Sequence, residues 1–217
     1  MRAEALSVWY GVTRAVDNVH VEISSGEIVA VMGRSGSGKS TLLHALAGIR
    51  RPDAGGVWYR GRRVDTMTDR DRTTLRRTEF GFVFQHGQLV PELTAAENVE
   101  LPLLLNGRSR RAAEEEAASW IQRLGIGVRA HALPSELSGG EVQRVALARA
   151  MAIEPSVVFA DEPTGSLDSD NARLVMSELV AVATENGTAV LLVTHDSATA
   201  AGAARCLMLH DGRLVDE

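Results

Sequence analysis

Short apolar runs open the chain and longer helical patterns follow. Residues 5–10, 19–23 and 28–32 are rich in β-branched or other apolar side chains, separated by Gly11 and by Ser24-Ser25-Gly26, so each reads as a strand. Residues 39–47 predict a helix ended by Gly48, and 57–60 and 80–84 predict two more strands. From about residue 86 to 153 the pattern is helical. Thr94-Ala95-Ala96-Glu97 has capping-box spacing ahead of an apolar run, 110–123 predicts a charged helix and 139–152 an apolar one. Beyond it, strands at 157–160, 189–193 and 205–210 alternate with helices at 170–184 and 198–203. Such alternation predicts a mostly parallel sheet covered on both faces, with the all-helical block inserted into it. No repeat, low-complexity linker or break in composition divides the chain, so a single domain is expected over residues 1–217.

Composition narrows the picture. With 217 residues, 45% of them hydrophobic, the chain can bury a sizeable core. A net charge of −5 gives no general attraction for nucleic acid. The single cysteine, Cys206, excludes a disulfide framework and a multi-cysteine metal site, and it is expected to be a small buried side chain. No uncharged apolar stretch approaches the roughly 18 residues of a membrane span, and Met1-Arg2-Ala3-Glu4 lacks a signal peptide's apolar run. A soluble, cytoplasmic chain is therefore expected. The arginines at 60–63, 70–77 and 108–111 are expected on solvated faces, with Arg110–Glu114 and Arg111–Glu115 as helix pairs. Of the 23 basic residues only Lys39 is a lysine, which draws attention to it because arginine cannot replace a compact point charge.

Three segments carry chemistry. Gly33-Arg34-Ser35-Gly36-Ser37-Gly38-Lys39-Ser40 fits G-x-x-x-x-G-K-[ST] and lies between a predicted strand and a predicted helix, the context that motif requires. Its glycines let backbone N–H groups cradle a phosphate, the helix start adds its dipole, Lys39 reaches the β- and γ-phosphates and the Ser40 hydroxyl ligates Mg²⁺. The apolar strand before Asp161-Glu162 ends in two carboxylates, one suited to hold Mg²⁺ and the next to act as general base on a water. Leu137-Ser138-Gly139-Gly140-Glu141 begins a helix. Ser138 and Glu141 form a capping box, but a cap does not need two glycines, which suit close approach to an anion. Either a different nucleotide or the far side of the same one, across a dimer, fits this second anion site.

Together these segments resemble the ATP-binding cassette (ABC) family of ATPases, along the whole chain and in the family's motif order. The resemblance implies an α/β fold: a P-loop NTPase, RecA-like core with a mostly parallel sheet (about 1–85 and 154–217), an N-terminal antiparallel β part and an inserted α-helical subdomain (about 86–153). It makes 33–40, with Thr41 beside it, the Walker A loop and 157–162 the Walker B strand with catalytic Glu162. Leu137–Glu141 looks like the family signature, Ser166-Leu167-Asp168 like its D-loop, Gln85 like its Q-loop glutamine and His195 like its switch histidine. Glu162, His195 and Gln85 are then catalytic, while Ser40, Gln85 and Asp161 surround the metal. Tyr10 occupies the place of the adenine-stacking aromatic, with Trp9 as the other candidate. The chain departs from the common pattern at Glu141, often Gln in the family, and at Val142 and His86-Gly87.

The implied cofactors are ATP and Mg²⁺. Two copies would face each other head to tail, each ATP held by the nucleotide loop of one chain and by Ser138, Gly139, Gly140 and Glu141 of the other, with Asp168 at the shared boundary. The partner implied is an integral membrane permease, met at the cytoplasmic face by the helical block after Gln85, and no nucleic acid. The runs Glu162–Asp168 and Leu93–Val99 are similar to the lipoprotein-release and macrolide-efflux subgroup, whose substrates include lipoproteins, antimicrobial peptides, macrolides and haem. The other reading is a soluble cassette ATPase acting on nucleic acid or ribosomes. The coiled-coil insertions, zinc cysteines or second cassette of such relatives are absent from this sequence.

Overall fold

The structure, a computed structural model, describes residues 1–215. Its strands are β1 (Arg2–Tyr10), β2 (Thr13–Glu22), β3 (Ile28–Met32), β4 (Ala54–Tyr59), β5 (Arg62–Arg63), β6 (Phe80–Phe84), β7 (Val157–Asp161), β8 (Ala189–Thr194), β9 (Arg205–His210) and β10 (Arg213–Val215). The helices are α1 (Lys39–Leu46), α2 (Asp69–Glu79), α3 (Ala95–Leu105), α4 (Arg110–Arg123), α5 (Gly139–Met151), α6 (Ser169–Asn186) and α7 (Ser197–Ala200).

The strands form two sheets. One is antiparallel with order β2-β1-β4-β5, and the other runs β10-β9-β3-β8-β7-β6, parallel except for the β10 hairpin. Successive side chains of a strand point to opposite faces, and here each face has its own core. Ala30, Val158, Ala160, Val190 and Leu192 pack with Val99, Trp120, Val145 and Leu179 of the helices α3 to α6. Val29, Val31, Phe159, Leu191 and Val193 pack with Leu42 and Leu46 of α1 and with Leu6 and Val8 of the antiparallel sheet. Burial on both faces is why β3, β7 and β8 read as unbroken apolar runs. Helix α1 is thereby clamped between the sheets, touching β1 on one side and β8 on the other.

Both expected capping boxes are present: Thr94 with Glu97 opens α3, and Ser138 with Glu141 opens α5. The pairs Arg110–Glu114 and Arg111–Glu115 form, each at 2.9 Å. Several expectations need correction. Strands β1 and β2 begin earlier than the sequence suggests, at Arg2 and Thr13. Residues 69–79 form α2, which the pattern did not predict, because Arg72 and Leu75 alone are buried and leave no apolar stripe. The arginines at 70–77 are therefore not all on a solvated face: Arg72 is buried and bonded to Asp69, and Arg76 donates to the Gly48 carbonyl at 2.7 Å. Cys206 is exposed rather than buried. Its register opposite Ala30 puts it on the face that α7 covers, and α7 packs against β8 and β3.

Candidate functional site

The parallel sheet delivers four loops to one place. The register pairs Met32 with Thr194, Val193 with Asp161, and Asp161 with Phe84, so the carboxyl ends of β3, β8, β7 and β6 lie in a row. Ligands in open α/β sheets bind at such an edge. The residues just beyond these ends, Gly33, His195, Glu162 and Gln85, line an open cleft of about 1010 Å³. Arg34, Ser35, Gly36, Gly38, Lys39, Ser40 and Thr41 form its floor, and Tyr10 at the end of β1 forms a wall.

The loop from Gly33 to Gly38 depends on backbone that only glycine supplies. Gly38 has φ +103°, and a Cβ there would run into the carbonyl oxygen of Ala15 on β2. The Ser37 carbonyl accepts from Gly212 N–H at 3.0 Å, and the Gly212 carbonyl accepts from Asp17 N–H at 2.8 Å. Loop, β2 and the β9–β10 turn are thus joined through backbone. Lys39 is 7% exposed and donates to the carbonyls of Gly33 and Arg34 at 2.9 and 3.1 Å. An ammonium has three protons, so one remains for the cleft, where Glu162 Oε1 stands 4.0 Å away.

Asp161 ends β7 half-buried, and that burial pushes its carboxyl above the usual range; its partner is the Ser40 hydroxyl, which donates to Oδ1 at 3.0 Å. Serine oxygen and carboxylate are hard ligands of the kind Mg²⁺ takes. No group of three or more His, Cys, Asp or Glu side chains could hold a metal among the described residues. A cation that keeps several waters and adds phosphate oxygens fits this sparse donor set, and an all-protein metal cage does not.

Glu162 has φ +48°, a conformation non-glycine residues rarely adopt, and its N–H is held by the Val193 carbonyl at 2.9 Å. Its carboxylate receives the Thr194 hydroxyl at 3.2 Å and lies 2.9 Å from His195 Nδ1. An ionised carboxylate only accepts, so Nδ1 carries the proton in this arrangement. The Gln85 carbonyl receives Gln143 Nε2 at 2.6 Å and Ser166 Oγ at 2.9 Å, and its amide nitrogen lies 2.9 Å from where a Cβ on Gly165 would sit. Of the two candidate aromatics Tyr10 lines the cleft, with the Arg50 guanidinium 5.5 Å from its ring centroid. Trp9 points elsewhere and has Arg14 5.6 Å from its ring.

The remaining predicted site residues form a second, separate cluster. Ser138, Gly139, Gly140, Glu141 and Asp168 are not among the residues that line the cleft. Glu141 Oε2 accepts from the N–H and hydroxyl of Ser138 at 2.7 and 2.8 Å, which holds its carboxyl below the usual range. A Cβ on Gly140 would stand 2.7 Å from Asn171 Oδ1, so the second glycine makes room for α6. Asn171 in turn donates its backbone N–H and side-chain amide to Asp168, the N-cap of α6, at 3.0 and 2.7 Å. Sequence reasoning missed Asn171 and Gln143. It also missed Thr194, whose signal was its place directly before His195.

The family model described as ABC transporter matches residues 16–165. The chain is 43% identical over 219 residues to the uncharacterized ABC transporter ATP-binding protein MJ1508 of Methanocaldococcus jannaschii, covering 98% of this chain and 97% of the relative. It is also 43% identical over 218 residues to the lipoprotein-releasing system ATP-binding protein LolD of Xanthomonas oryzae pv. oryzae, covering 99% and 89%. Among solved structures it superposes with TM-score 0.92 and 36% identity on the dimeric post-hydrolysis state of the ATP-binding cassette MJ0796 bound to ADP and Pi, covering 99% of this chain and 96% of that one.

Proposed function

Because the chain belongs to the ABC transporter family of ATP-binding, ATP-hydrolysing cassettes, we propose that its two residue clusters are the two halves of a shared nucleotide site, completed by a second copy head to tail. The observation that carries this reading is the gathering of Lys39, Ser40, Glu162 and His195 along one cleft, with Asp161 bonded to Ser40, while Ser138 to Glu141 lie outside it. In the proposed complex Tyr10 stacks on adenine, the amides from Gly33 to Ser40 and the third proton of Lys39 hold the phosphates, and Thr41 follows in the first turn of α1. Ser40 and Asp161 hold Mg²⁺, with Gln85 reaching the same region from β6. When bound, the metal neutralises charge on the phosphates. Glu162 takes a proton from the attacking water, and His195 fixes the Glu162 carboxylate from its other side. Ser138 and the amides of Gly139 and Gly140 meet the γ-phosphate of the partner copy's ATP, and Asp168 stands at the boundary between copies.

The division into a core (about 1–85 and 154–217) and a helical subdomain (about 86–153) is part of this reading; residues 216 and 217 lie outside the described ones. In support, α3 packs on α4 and α5. No helix among the described residues is long and apolar enough to cross a membrane. The proposed location is therefore peripheral, at the cytoplasmic face, on a separate membrane permease. A groove of about 550 Å³, with Ile49, Phe82, Pro102 and Leu105 along it and Arg76, Arg77 and Arg149 at its edge, supports docking beside the loop after Gln85. An apolar helix of the permease flanked by carboxylates matches it. The relatives named as lipoprotein-releasing favour a permease of the lipoprotein-release and macrolide-efflux kind. Co-purification from detergent-solubilised membranes tests the assignment. Capture of a polytopic membrane protein, lost on Leu105→Glu, supports it; capture of ribosomes or nucleic acid instead overturns it.

A further inference from the structure

A short chain of buried hydroxyls runs between the turns that follow Glu162 and His195, and neither of its threonines has a role in the proposed nucleotide site. Thr164 and Thr199 are 7% and 3% exposed, and their Oγ1 atoms are 2.8 Å apart. Thr164 is two residues past Glu162, in the turn closed by the bonds from Gly165 N–H to the Glu162 carbonyl and from Leu167 N–H to the Thr164 carbonyl. Thr199 is on α7, four residues past His195. Its hydroxyl also reaches Asp196 Oδ2 at 2.6 Å, and its N–H reaches the same oxygen at 3.0 Å.

Proton counting fixes the direction of this chain. Asp196 also accepts from Ala198 N–H, and these donors, the Thr199 hydroxyl first, hold its carboxyl below the usual range, so it is ionised and can only accept. The Thr199 proton therefore goes to Asp196, and the Thr199 oxygen accepts from the Thr164 hydroxyl. The path returns to the cleft through Asp196 N–H, which donates to Thr194 Oγ1 at 3.1 Å, and through the Thr194 hydroxyl, which donates to Glu162 at 3.2 Å. The result is a closed loop: Glu162 is joined to Thr164 by chain, Thr164 to Thr199 to Asp196 by hydroxyls, and Asp196 to Thr194 to Glu162 by hydrogen bonds.

We propose that Thr199 is a positioning residue for hydrolysis: its hydroxyl, held between Asp196 and Thr164, ties the turn after Glu162 to the turn after His195 and fixes the spacing of those two side chains. Valine has the same shape and no hydroxyl, so it breaks both links at once and leaves the Thr164 hydroxyl buried without its acceptor. The inference rests on the reading of Glu162 as general base.

The test uses the full chain and compares Thr199→Val, Thr199→Ser, Thr164→Val and the double valine variant in steady-state ATP hydrolysis and equilibrium ATP binding. Misplacing a catalytic group is costly in rate, so Thr199→Val should lower kcat on the order of tenfold with KM and ATP affinity within about twofold of the parent. Thr199→Ser should recover most of the loss. Two residues of one relay are not additive, so the double variant should lose no more than the worse single one. Unchanged kcat in Thr199→Val, equal losses in kcat and ATP affinity, failure of serine to rescue, or additive losses would each overturn the proposal. Should Thr199→Val not fold, Thr164→Val carries the same kcat test with Thr199 intact. Loss of turnover in Glu162→Gln, with normal turnover in Thr199→Val, would reject Thr199 alone and leave the base assignment standing.

Discussion

His195 Nδ1 lies 2.9 Å from Glu162 Oε1, across the tips of two neighbouring strands. The carboxylate is thus oriented from one side by the imidazole and the Thr194 hydroxyl, while Lys39 stands 4.0 Å away on the cleft side. Glu162→Gln keeps the shape and removes the basicity. Turnover should fall by about 10²- to 10⁴-fold, the usual worth of a general base, with ATP binding retained. Because unhydrolysed ATP should hold two copies together, the variant should pass from monomer to dimer on adding ATP, as read by light scattering after size exclusion. Adding Ser138→Arg should abolish that shift and spare ATP binding by the monomer. A dimer indifferent to Ser138→Arg would sink the shared-site geometry.

Lysine chemistry offers a direct report on the cleft. Lys39 is the only lysine, so an amine-selective reagent has two targets, its Nζ and the N-terminus of Met1. Burial lowers the pKa of the Met1 ammonium, which donates to the Ile23 carbonyl at 2.7 Å. MgATP should suppress labelling of Lys39 and leave Met1 labelling unchanged, as measured by mass spectrometry of peptides. Equal labelling of Lys39 with and without saturating nucleotide would count against the phosphate site.

The two aromatic candidates can be separated by binding. Tyr10 lines the cleft and Trp9 does not. Tyr10→Ala should weaken ATP binding by about 0.5–1.5 kcal/mol beyond the area lost, and Trp9→Ala by less. A titration giving the reverse order would assign the stacking to the other ring.

Acid should loosen the fold. Among the described residues, seven carboxyls are held below their ordinary values: Asp17, Asp69, Glu79, Glu97, Glu141, Asp168 and Asp196. Three are raised, chiefly by burial: Glu100, Asp161 and Glu178. A depressed carboxyl contributes stability that is complete above its unfolded pKa and is lost as pH falls through its folded one. The lowered group is the larger, so the denaturant midpoint should fall as pH drops below about 4.5, from the unfolded pKa of these carboxyls down through their folded ones. In Glu141→Gln the amide oxygen still accepts from Ser138, so the cap survives while one titrating group is gone. That variant should show a shallower acid loss and turnover close to the parent; a steeper loss would mean that the carboxylate is not what the cap protects.

The parts of this molecule most legible in the sequence are those where one physical demand dominates. Burial on both faces gives β3, β7 and β8 continuous apolar runs, and the phosphate loop needs glycine, lysine and serine at fixed spacing. Helix α2 was illegible because its burial rests on Arg72 and Leu75, and arginine carries no apolar signal. Cys206 was misjudged because residue type suggested burial while the cover on its face lies over β8 and β3. The separation of Ser138 to Glu141 from the cleft was legible only as a choice between two readings, since distance along the chain does not measure distance in space. Thr199 gave no sequence signal: a threonine in a short alanine-rich helix becomes informative only when its hydroxyl is seen between Asp196 and Thr164.

The contact between Gly38 and Ala15 makes the cleft a gauge of length. Ala15 is on β2, and β2 is zipped to the strand that ends in Tyr10, so the ring platform and the phosphate cradle are two marks on one rigid frame. In the proposed complex a nucleotide engages both marks only when its phosphate chain spans the gap, and one too short must give up one end or the other. Stacking on a ring accepts any base with a flat face. Such a frame selects by span before it selects by base: shortening the phosphate chain should cost more affinity than exchanging one purine for another.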